Sequence, residues 1–289
     1  MINKLAIGSV QFGLDYGISN ESGIVANNEV RAILDYCREV GIDTIDTAYG
    51  YGNSEEKLGE QRIGDFKLVT KFPDTDEIQL SEYLRQSLSR LAVNKLYGYM
   101  AHNVNCLIKN PSIWQRLMGY KEEGIIKKIG FSLYRPEELL RLLDMGMVPD
   151  IIQIPYNILD NRFEGHFSTL RKENIEVHAR SCFLQGLFFL KPENLPSFFD
   201  PIKHWMKQFQ EMYLSADSKV NVLLNYVLYN SYIDKVVIGI DSLQQLRQNV
   251  NLVGAVHEQL ASPETPVSEQ ILLPFNWPKI ERETIKYHH

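Results

Sequence analysis

Short runs of apolar and β-branched residues alternate along the chain with longer stretches in which apolar residues recur at helical spacing. The short runs predict strands, and the longer stretches predict amphipathic helices. The predicted strands cover residues 5–10, 44–48, 67–72, 96–102, 126–132, 151–157, 175–181 and 235–240. The predicted helices cover residues 30–41, 54–62, 80–91, 111–124, 136–146, 166–174, 220–229 and 242–253.

This alternation predicts the fold. Strands that alternate with helices pair in parallel with the helices outside, and eight such units close most naturally into a (β/α)8 TIM barrel. A doubly wound open sheet is the competing α/β architecture, but no predicted strand ends in GxGxxG. No low-complexity linker interrupts the pattern, so we expect a single domain over residues 1–289. The prolines of the tail, residues 262–289, predict a segment without regular structure.

Composition narrows the class of protein. The 289 residues carry a net charge of −6, and Lys and Arg form no cluster, which disfavours nucleic acid as a partner. No apolar run approaches the roughly 18 residues of a membrane span, and the N-terminus lacks the pattern of a signal peptide. Cys37, Cys106 and Cys182 are scattered, without disulfide or metal-site spacing. We expect a cytoplasmic protein without a metal site, as a monomer or small homo-oligomer.

Four polar residues lie at or just beyond the ends of three consecutive predicted strands. Asp46 and Tyr51 follow the second strand, Lys71 lies near the end of the third, and His102 ends the fourth. In a (β/α)8 barrel these strand ends meet at one rim, where active sites lie. Each residue taken alone has an ordinary explanation. Asp46 could cap the turn and Tyr51 could pack against its neighbours. Lys71 could extend its amine to the surface, and His102 could be a hydrogen-bonded core histidine. Their coincidence at neighbouring strand ends favours a site.

The chemistry of these four residues suits protonation of an oxygen. A free phenol has a pKa of about 10, and a buried ammonium beside it would stabilise the phenolate and lower that value. Asp46 would keep a buried Lys71 charged, and a histidine can orient a carbonyl oxygen or help to move the proton. The set contains no acyl-transfer nucleophile and no metal cage. Protonation of a developing alkoxide would also require a hydride donor, which no side chain can be.

The sequence around these residues resembles the aldo-keto reductase superfamily. GIDTIDTAYGYGNSEEKLG (41–59) is similar to the family signature, in which DTA is followed by a tyrosine that opens YGNSE. The resemblance covers nearly the whole chain and continues through VTK (69–71), GIIKKIGFS (124–132), IIQIPYN (151–157), LQGL (184–187) and VVIGIDSLQQLRQN (236–249). It implies a catalytic tetrad of Asp46, Tyr51, Lys71 and His102, with Tyr51 as the general acid/base. It also implies a nicotinamide dinucleotide, NADP or NAD, as cofactor.

The resemblance implies a set of cofactor contacts as well. Two strand-end residues would hold the nicotinamide carboxamide, residues 180–187 would line the pyrophosphate, and residues 239–249 would surround the adenine ribose. The residues expected to bind the cofactor are Ser132, Gln153, Arg180, Ser181, Leu184, Gly186, Gly239, Asp241, Gln245 and Asn249. The chain departs from the family in three places. Leu133 replaces the usual Asn or Arg, Arg180 stands where many members have a stacking aromatic residue, and the N-terminal hairpin is nearly absent.

The choice between NADP and NAD depends on the segment after the eighth strand. NADP-preferring relatives usually place basic or hydroxyl residues there, with an Arg a few residues later, to hold the 2′-phosphate. This chain has Asp241 and, at the position of that Arg, Gln245, while helical spacing turns Arg247 away. A carboxylate repels a phosphate but accepts hydrogen bonds from a ribose hydroxyl. Asp241 or Ser242 could equally cap the last helix. The family favours NADP and the local charge favours NAD, which leaves both open.

The substrate is less well marked. Tyr16, Tyr49 and, in the tail where the family keeps a substrate-facing loop, Phe275 or Trp277 are candidates, although packing explains them equally. The leading hypothesis is an NAD(P)H-dependent oxidoreductase that reduces an aldehyde or ketone to an alcohol. The GSVQFGLDYGI opening and the RSCFLQGL segment resemble bacterial members associated with sugar metabolism. The alternative is a non-catalytic barrel that binds the dinucleotide as a regulatory or sensor subunit.

Overall fold

Eight parallel strands close into one barrel in the computed structural model, which describes residues 1–18, 20, 22–255, 263 and 265–278. The strands are β1 (Leu5–Gly8), β2 (Thr44–Asp46), β3 (Lys67–Phe72), β4 (Leu96–Ala101), β5 (Ile126–Ser132), β6 (Ile151–Pro155), β7 (Glu176–Arg180) and β8 (Lys235–Gly239). Each strand pairs with the next along the chain, and β8 pairs with β1 to close the sheet. The predicted (β/α)8 barrel is confirmed.

Helices follow the strands around the outside of the barrel. They are α1 (Val10–Gly13), α2 (Asn27–Val40), α3 (Ser54–Gly59), α4 (Glu77–Arg90), α5 (Asn105–Lys109), α6 (Ser112–Glu122), α7 (Pro136–Asp144), α8 (Phe167–Lys172), α9 (Asp200–Met212), α10 (Ala216–Leu228), α11 (Leu243–Asn251) and α12 (Glu269–Leu272). All eight predicted helices are present. Within the described ranges, no helix is long and apolar enough to cross a membrane.

The helix α9 was not predicted, because the segment before it is broken by prolines. Pro201 lies in the first turn of α9, where proline costs no hydrogen bond and its fixed φ suits the helix. Ile202, Met206 and Phe209 are spaced along one face of α9 and are buried. The main core lies between the sheet and the helices. These three residues form part of a second apolar cluster beside that core.

The prediction that the tail lacks regular structure is wrong for its described part. The short helix α12 buries Ile271 and Leu272 in the second apolar cluster. Glu269 of α12 forms ion pairs with Arg135 at 2.6 Å and with Arg162 at 3.2 Å. These contacts hold the tail against the barrel, although proline composition alone predicted an irregular segment. Residues 262, 264 and 279–289 lie outside the described residues.

One close approach between strands sets a steric limit on the barrel wall. Gly130 of β5 pairs with Ile151 of β6, and a Cβ added at Gly130 would lie 1.7 Å from the Ile151 carbonyl oxygen. That oxygen belongs to the backbone of the next strand, so it cannot move aside as a flexible side chain would. Glycine is therefore required at this position by space rather than by its backbone dihedral angles.

We predict that Gly130→Ala destabilises the protein by roughly 3 kcal/mol or more, because the two strands must separate to admit the methyl group. Gly119→Ala is the matched control. Gly119 lies within α6 with nothing within 4 Å of an added Cβ, so alanine should stabilise the helix by about 0.5–1 kcal/mol. Urea unfolding of both variants measures the difference. Equal stability of the two variants would contradict the proposed close approach.

Candidate active site

A cavity of about 630 Å³ opens at the carboxyl ends of the strands. Asp46, Tyr51 and His102 line it, and Lys71 lies directly beneath, bonded to Asp46. The strand ends of a barrel converge at this face, which is why residues from β2, β3 and β4 meet there. The structure thus brings together the four polar residues that the sequence placed at consecutive strand ends.

Lys71 and Asp46 form a buried ion pair at the base of the cavity. The Lys71 Nζ atom lies 2.6 Å from Asp46 Oδ1, and the two residues are 0% and 3% exposed. Lys71 also donates to the Thr47 carbonyl oxygen, and the Gln153 side-chain amide donates to Asp46 Oδ2 at 2.7 Å. Both carboxylate oxygens therefore have a donor, which offsets part of the cost of burying the charges.

Tyr51 is positioned by a contact between two backbones. It lies in the turn before α3, and its amide donates to the Ala48 carbonyl oxygen. Gly13 of α1 and Gly52 pack against each other so closely that a Cβ on Gly52 would lie 2.3 Å from the Gly13 carbonyl oxygen. Gly52 also has a left-handed φ of 57°. The glycines around Tyr51 thus allow the turn to pack tightly on α1, and this packing directs the phenol into the cavity.

The ring of Tyr51 lies close to both His102 and the ion pair. The Tyr51 and His102 rings meet edge to face with their centroids 5.6 Å apart. The Lys71 Nζ atom lies 5.3 Å from the centroid of the Tyr51 ring. His102 follows directly on β4, and its amide donates to the Phe72 carbonyl oxygen, which fixes its position beside β3.

The electrostatics of Tyr51 differ from the expectation that Lys71 would lower its pKa. Burial raises the pKa of the Tyr51 phenol well above its usual range, and the Asp46 carboxylate raises it further, while the charge of Arg180 lowers it. Burial of the phenol is the largest cause of this shift, and the Lys71 ammonium that was expected to lower the pKa is itself paired with Asp46 at 2.6 Å. Tyr51 is therefore protonated at neutral pH, the form that can donate a proton.

His102 is neutral at physiological pH. Burial lowers the pKa of its imidazole to about 3, and the positive charges of Lys71 and Arg180 act in the same direction. A neutral imidazole has one N–H donor and one acceptor nitrogen. His102 can therefore hydrogen-bond an oxygen in the cavity without adding a charge beside Tyr51.

Most of the residues expected to bind a cofactor line the same cavity. They are Ser132, Gln153, Arg180, Ser181, Gly186, Gly239, Asp241, Gln245 and Asn249. Leu184 does not line it, because its side chain is fully buried in the second apolar cluster. Gln153 has a contact that the resemblance did not imply, since its amide nitrogen donates one of its two hydrogens to Asp46, which leaves the other hydrogen and the oxygen for a ligand.

The loop after β7 is conformationally strained. Ser181, Leu184 and Gln185 have left-handed φ values of 64°, 43° and 54°, although none of them is glycine. Such residues cost about 1–3 kcal/mol each and persist only where their surroundings hold them. Asn157 contributes to this by donating to the Ser181 carbonyl oxygen at 3.0 Å. The loop curves along the cavity, with Ser181 and Gly186 in its lining.

The end of the cavity beside α11 is acidic and polar. Ser242 caps α11 by accepting from the Gln245 amide, so Asp241 is not the cap. The Asp241 Oδ1 atom is buried and has no hydrogen-bond partner in the described part of the chain, and burial raises the pKa of this carboxyl. Arg247 lies 4.7 Å over the ring of Tyr36, which is on α2 outside the cavity. A carboxylate without a basic neighbour therefore faces the cavity at this end.

The candidate substrate residues divide into two groups. Tyr16 lines the cavity, and its hydroxyl accepts from Gln185 at 2.7 Å. Tyr49 and Trp277 do not line it, contrary to expectation. The Tyr49 hydroxyl donates to Gln86 on α4, and the Trp277 indole donates to the Ile271 carbonyl oxygen within the tail. Both rings satisfy their polar atoms by packing against neighbouring elements, which their sequence positions do not indicate.

Sequence reasoning missed several lining residues, notably Gln11 and Tyr134. The Gln11 Oε1 atom is buried without a partner among the described residues, although Gln11 lies in a short helix predicted partly as strand. Tyr134 follows the strand-end Ser132 by two positions and lies under the guanidinium of Arg180, 4.3 Å from its ring centroid. A polar or aromatic residue within three positions of a strand end is the signal that would have found both.

Comparison with known proteins identifies the family of the chain. The sequence model of the Aldo/keto reductase family matches residues 4–262, so the chain belongs to the aldo-keto reductase family. It is 25% identical over 282 residues to the uncharacterized oxidoreductase YqkF of Bacillus subtilis, covering 88% of each chain. It is 30% identical over 192 residues to methylglyoxal reductase DkgA of Salmonella typhimurium, covering 64% of this chain and 68% of that one.

A solved structure shows the same fold. The chain superposes on the holo form of aldo-keto reductase AKR11C1 from Bacillus halodurans with a TM-score of 0.71 and 23% identity. The superposition covers 98% of this chain and 92% of that one. Family membership makes the chain an oxidoreductase of a kind that reduces carbonyl groups and generally uses NAD(P)H.

We predict that Lys71→Met destabilises the protein by about 3–5 kcal/mol, because it leaves the Asp46 carboxylate buried without its ammonium partner. Lys67→Met is the matched control on the same strand. Lys67 pairs with Asp43 at the surface, so its loss should cost less than about 1 kcal/mol. The double variant Asp46→Asn/Lys71→Met should recover part of the loss in denaturant unfolding. Equal effects of Lys71→Met and Lys67→Met would contradict the buried pair.

Proposed function

We propose that this protein reduces an aldehyde or ketone to an alcohol, with Tyr51 as the proton donor. The supporting observation is a protonated phenol that lines the cavity close to a neutral imidazole and to a buried ion pair. This arrangement suits the delivery of a proton to an oxygen that gains negative charge. Family membership supports carbonyl reduction as the overall reaction.

The residues of the cavity fit a nicotinamide dinucleotide. Two buried polar atoms, Gln11 Oε1 and Asp241 Oδ1, have no hydrogen-bond partner within the described residues, and both side chains line the cavity. Buried polar atoms of this kind are normally satisfied, which is consistent with ligand groups as their partners. When bound, the reduced dinucleotide supplies the hydride that side chains cannot.

Different parts of the cavity would hold different parts of the cofactor. Ser132 and the free oxygen of Gln153 would hold the carboxamide close to Tyr51. Ser181 and Gly186 on the strained loop would line the phosphates, and Asp241 with Gln245 would accept and donate hydrogen bonds to the ribose. These assignments rest on the lining of the cavity and on the family resemblance.

Residues of the chain carry out the proton transfer. Neutral His102 orients the carbonyl oxygen by donating a hydrogen bond to it, and the Tyr51 hydroxyl gives its proton to that oxygen as negative charge develops. The phenolate that results is stabilised by the Lys71 ammonium, whose Nζ atom lies 5.3 Å from the ring centroid. Asp46 and Gln153 keep the ammonium in place throughout.

We predict that Tyr51→Phe lowers kcat for carbonyl reduction by about 100-fold or more, because the proton donor is removed. Dinucleotide binding should stay within a few-fold of the unaltered protein, because Phe preserves the ring and its packing. Tyr49→Phe is the matched control, since that hydroxyl bonds to Gln86 outside the cavity. Steady-state rates with several aldehydes and fluorescence titration of the dinucleotide test both points. Near-normal turnover by Tyr51→Phe would contradict the role of Tyr51.

We also propose that the cofactor is NADH, or both dinucleotides equally, rather than NADPH alone. No Lys or Arg among the described residues lines the cavity beside Asp241, and the negative charge of Asp15 adds to that of Asp241. A 2′-phosphate would therefore face repulsion there without a compensating cation.

Side-by-side titration with NADH and NADPH tests this preference. We expect NADH to bind at least as tightly as NADPH, and Asp241→Asn to shift the ratio of affinities towards NADPH by about tenfold, or about 1.4 kcal/mol. Asp217→Asn is the control, because this carboxylate lines the cavity from α10 rather than beside α11. A tenfold preference of the unaltered protein for NADPH would show that the local charge does not decide cofactor choice.

A further inference from the structure

Among the residues that the structure describes, Arg180 is the only Lys or Arg that lines the cavity. It stacks at 4.3 Å over the ring of Tyr134, which in turn meets Phe275 of the tail edge to face at 5.2 Å. One of its nitrogens donates to the Leu133 carbonyl oxygen at 3.0 Å, and another donates to Ser181 Oγ at 3.3 Å. These contacts fix the plane of the guanidinium.

This fixed cation has no carboxylate partner in the described part of the chain. Arg135 and Arg162, by contrast, both pair with Glu269 just outside the cavity. A guanidinium has five N–H donors, and the two bonds to Leu133 and Ser181 leave the remaining donors of Arg180 unused. A partly buried cation with unused donors and no counter-ion is suited to bind an anion.

Arg180 lies close to the proposed reaction centre. It ends β7, pairs with Pro155 of β6, and lines the same cavity as Tyr51 and His102. Its charge lowers the pKa of both of those groups, which places it within electrostatic range of them. An anion held by Arg180 would therefore lie in the same cavity as the carbonyl group that faces Tyr51.

We propose that Arg180 selects carbonyl substrates that carry an oxyanion, above all a carboxylate, near the aldehyde or ketone group. The planar fork of the guanidinium can bind both oxygens of a carboxylate, and stacking on Tyr134 keeps that fork in place. The Asp46 carboxylate does not compete for Arg180, because it is bonded to Lys71 and Gln153. This inference rests on the proposed carbonyl reduction, and no covalent bond is made or broken at Arg180.

The test compares 2-, 3- and 4-carboxybenzaldehyde with their neutral methyl esters. For the unaltered protein, we expect the ratio of kcat/KM of acid to ester to exceed one for at least one isomer. Arg180→Leu should lower that ratio by about tenfold to 100-fold, the effect of losing one charge-assisted hydrogen bond, and Arg180→Lys should retain part of it. Arg247→Leu is the matched control, because its guanidinium packs on Tyr36 outside the cavity. It should leave the ratio unchanged.

Two further measurements distinguish a carboxylate of the substrate from a phosphate of the cofactor as the anion that Arg180 binds. Dinucleotide titration without substrate shows whether Arg180 binds a cofactor phosphate. A tenfold weaker Kd for Arg180→Leu with an unchanged acid-to-ester ratio would overturn the inference. Calorimetric binding of benzene-1,3-dicarboxylate to the dinucleotide-loaded protein tests the anion site without turnover, and we expect Arg180→Leu to weaken it at least tenfold. If the unaltered protein reduces none of the aldehydes, the proposed function fails, while this binding experiment still decides the role of Arg180.

Discussion

The ion pair between Lys71 and Asp46 is the interaction on which the rest of the site depends. Two charges removed from water cost several kcal/mol unless each finds its partners, and here the carboxylate has two donors and the ammonium two acceptors. The barrel makes this possible because β2 and β3 are adjacent and Gln153 reaches in from β6. Burial is the largest cause of the raised pKa of the Tyr51 phenol, and the Asp46 carboxylate of this pair raises that pKa further.

The fold and the base of the site could be predicted from the sequence, because both follow from regular geometry. Strand periodicity gave eight strands, and parallel strands in a barrel bring residues such as Asp46, Lys71 and His102 to one rim wherever their helices lie. Elements held mainly by distant contacts could not be predicted. The tail helix depends on Glu269 meeting two arginines, which no local pattern near Glu269 reveals.

The direction of side chains in loops could not be predicted from the sequence either. Tyr49 and Tyr51 are two positions apart in one turn, yet only Tyr51 enters the cavity, because the Gly13–Gly52 contact fixes the turn and Tyr49 finds Gln86 on α4. The direction of the pKa shift of Tyr51 was wrong for a related reason. The sequence indicates which charges are near a phenol, but not how well they are paired or how deeply the phenol is buried.

The strained loop after β7 has a consequence for anyone who wishes to make this protein more resistant to heat. Ser181, Leu184 and Gln185 have left-handed backbone conformations that are strained for residues other than glycine. Substitution by glycine would relieve this strain, which makes the three positions obvious choices for engineering. Glycine would also loosen the loop before any ligand arrives and enlarge the unfolded ensemble. Rigidity along the cavity and tolerance of high temperature are therefore competing demands on the same few residues.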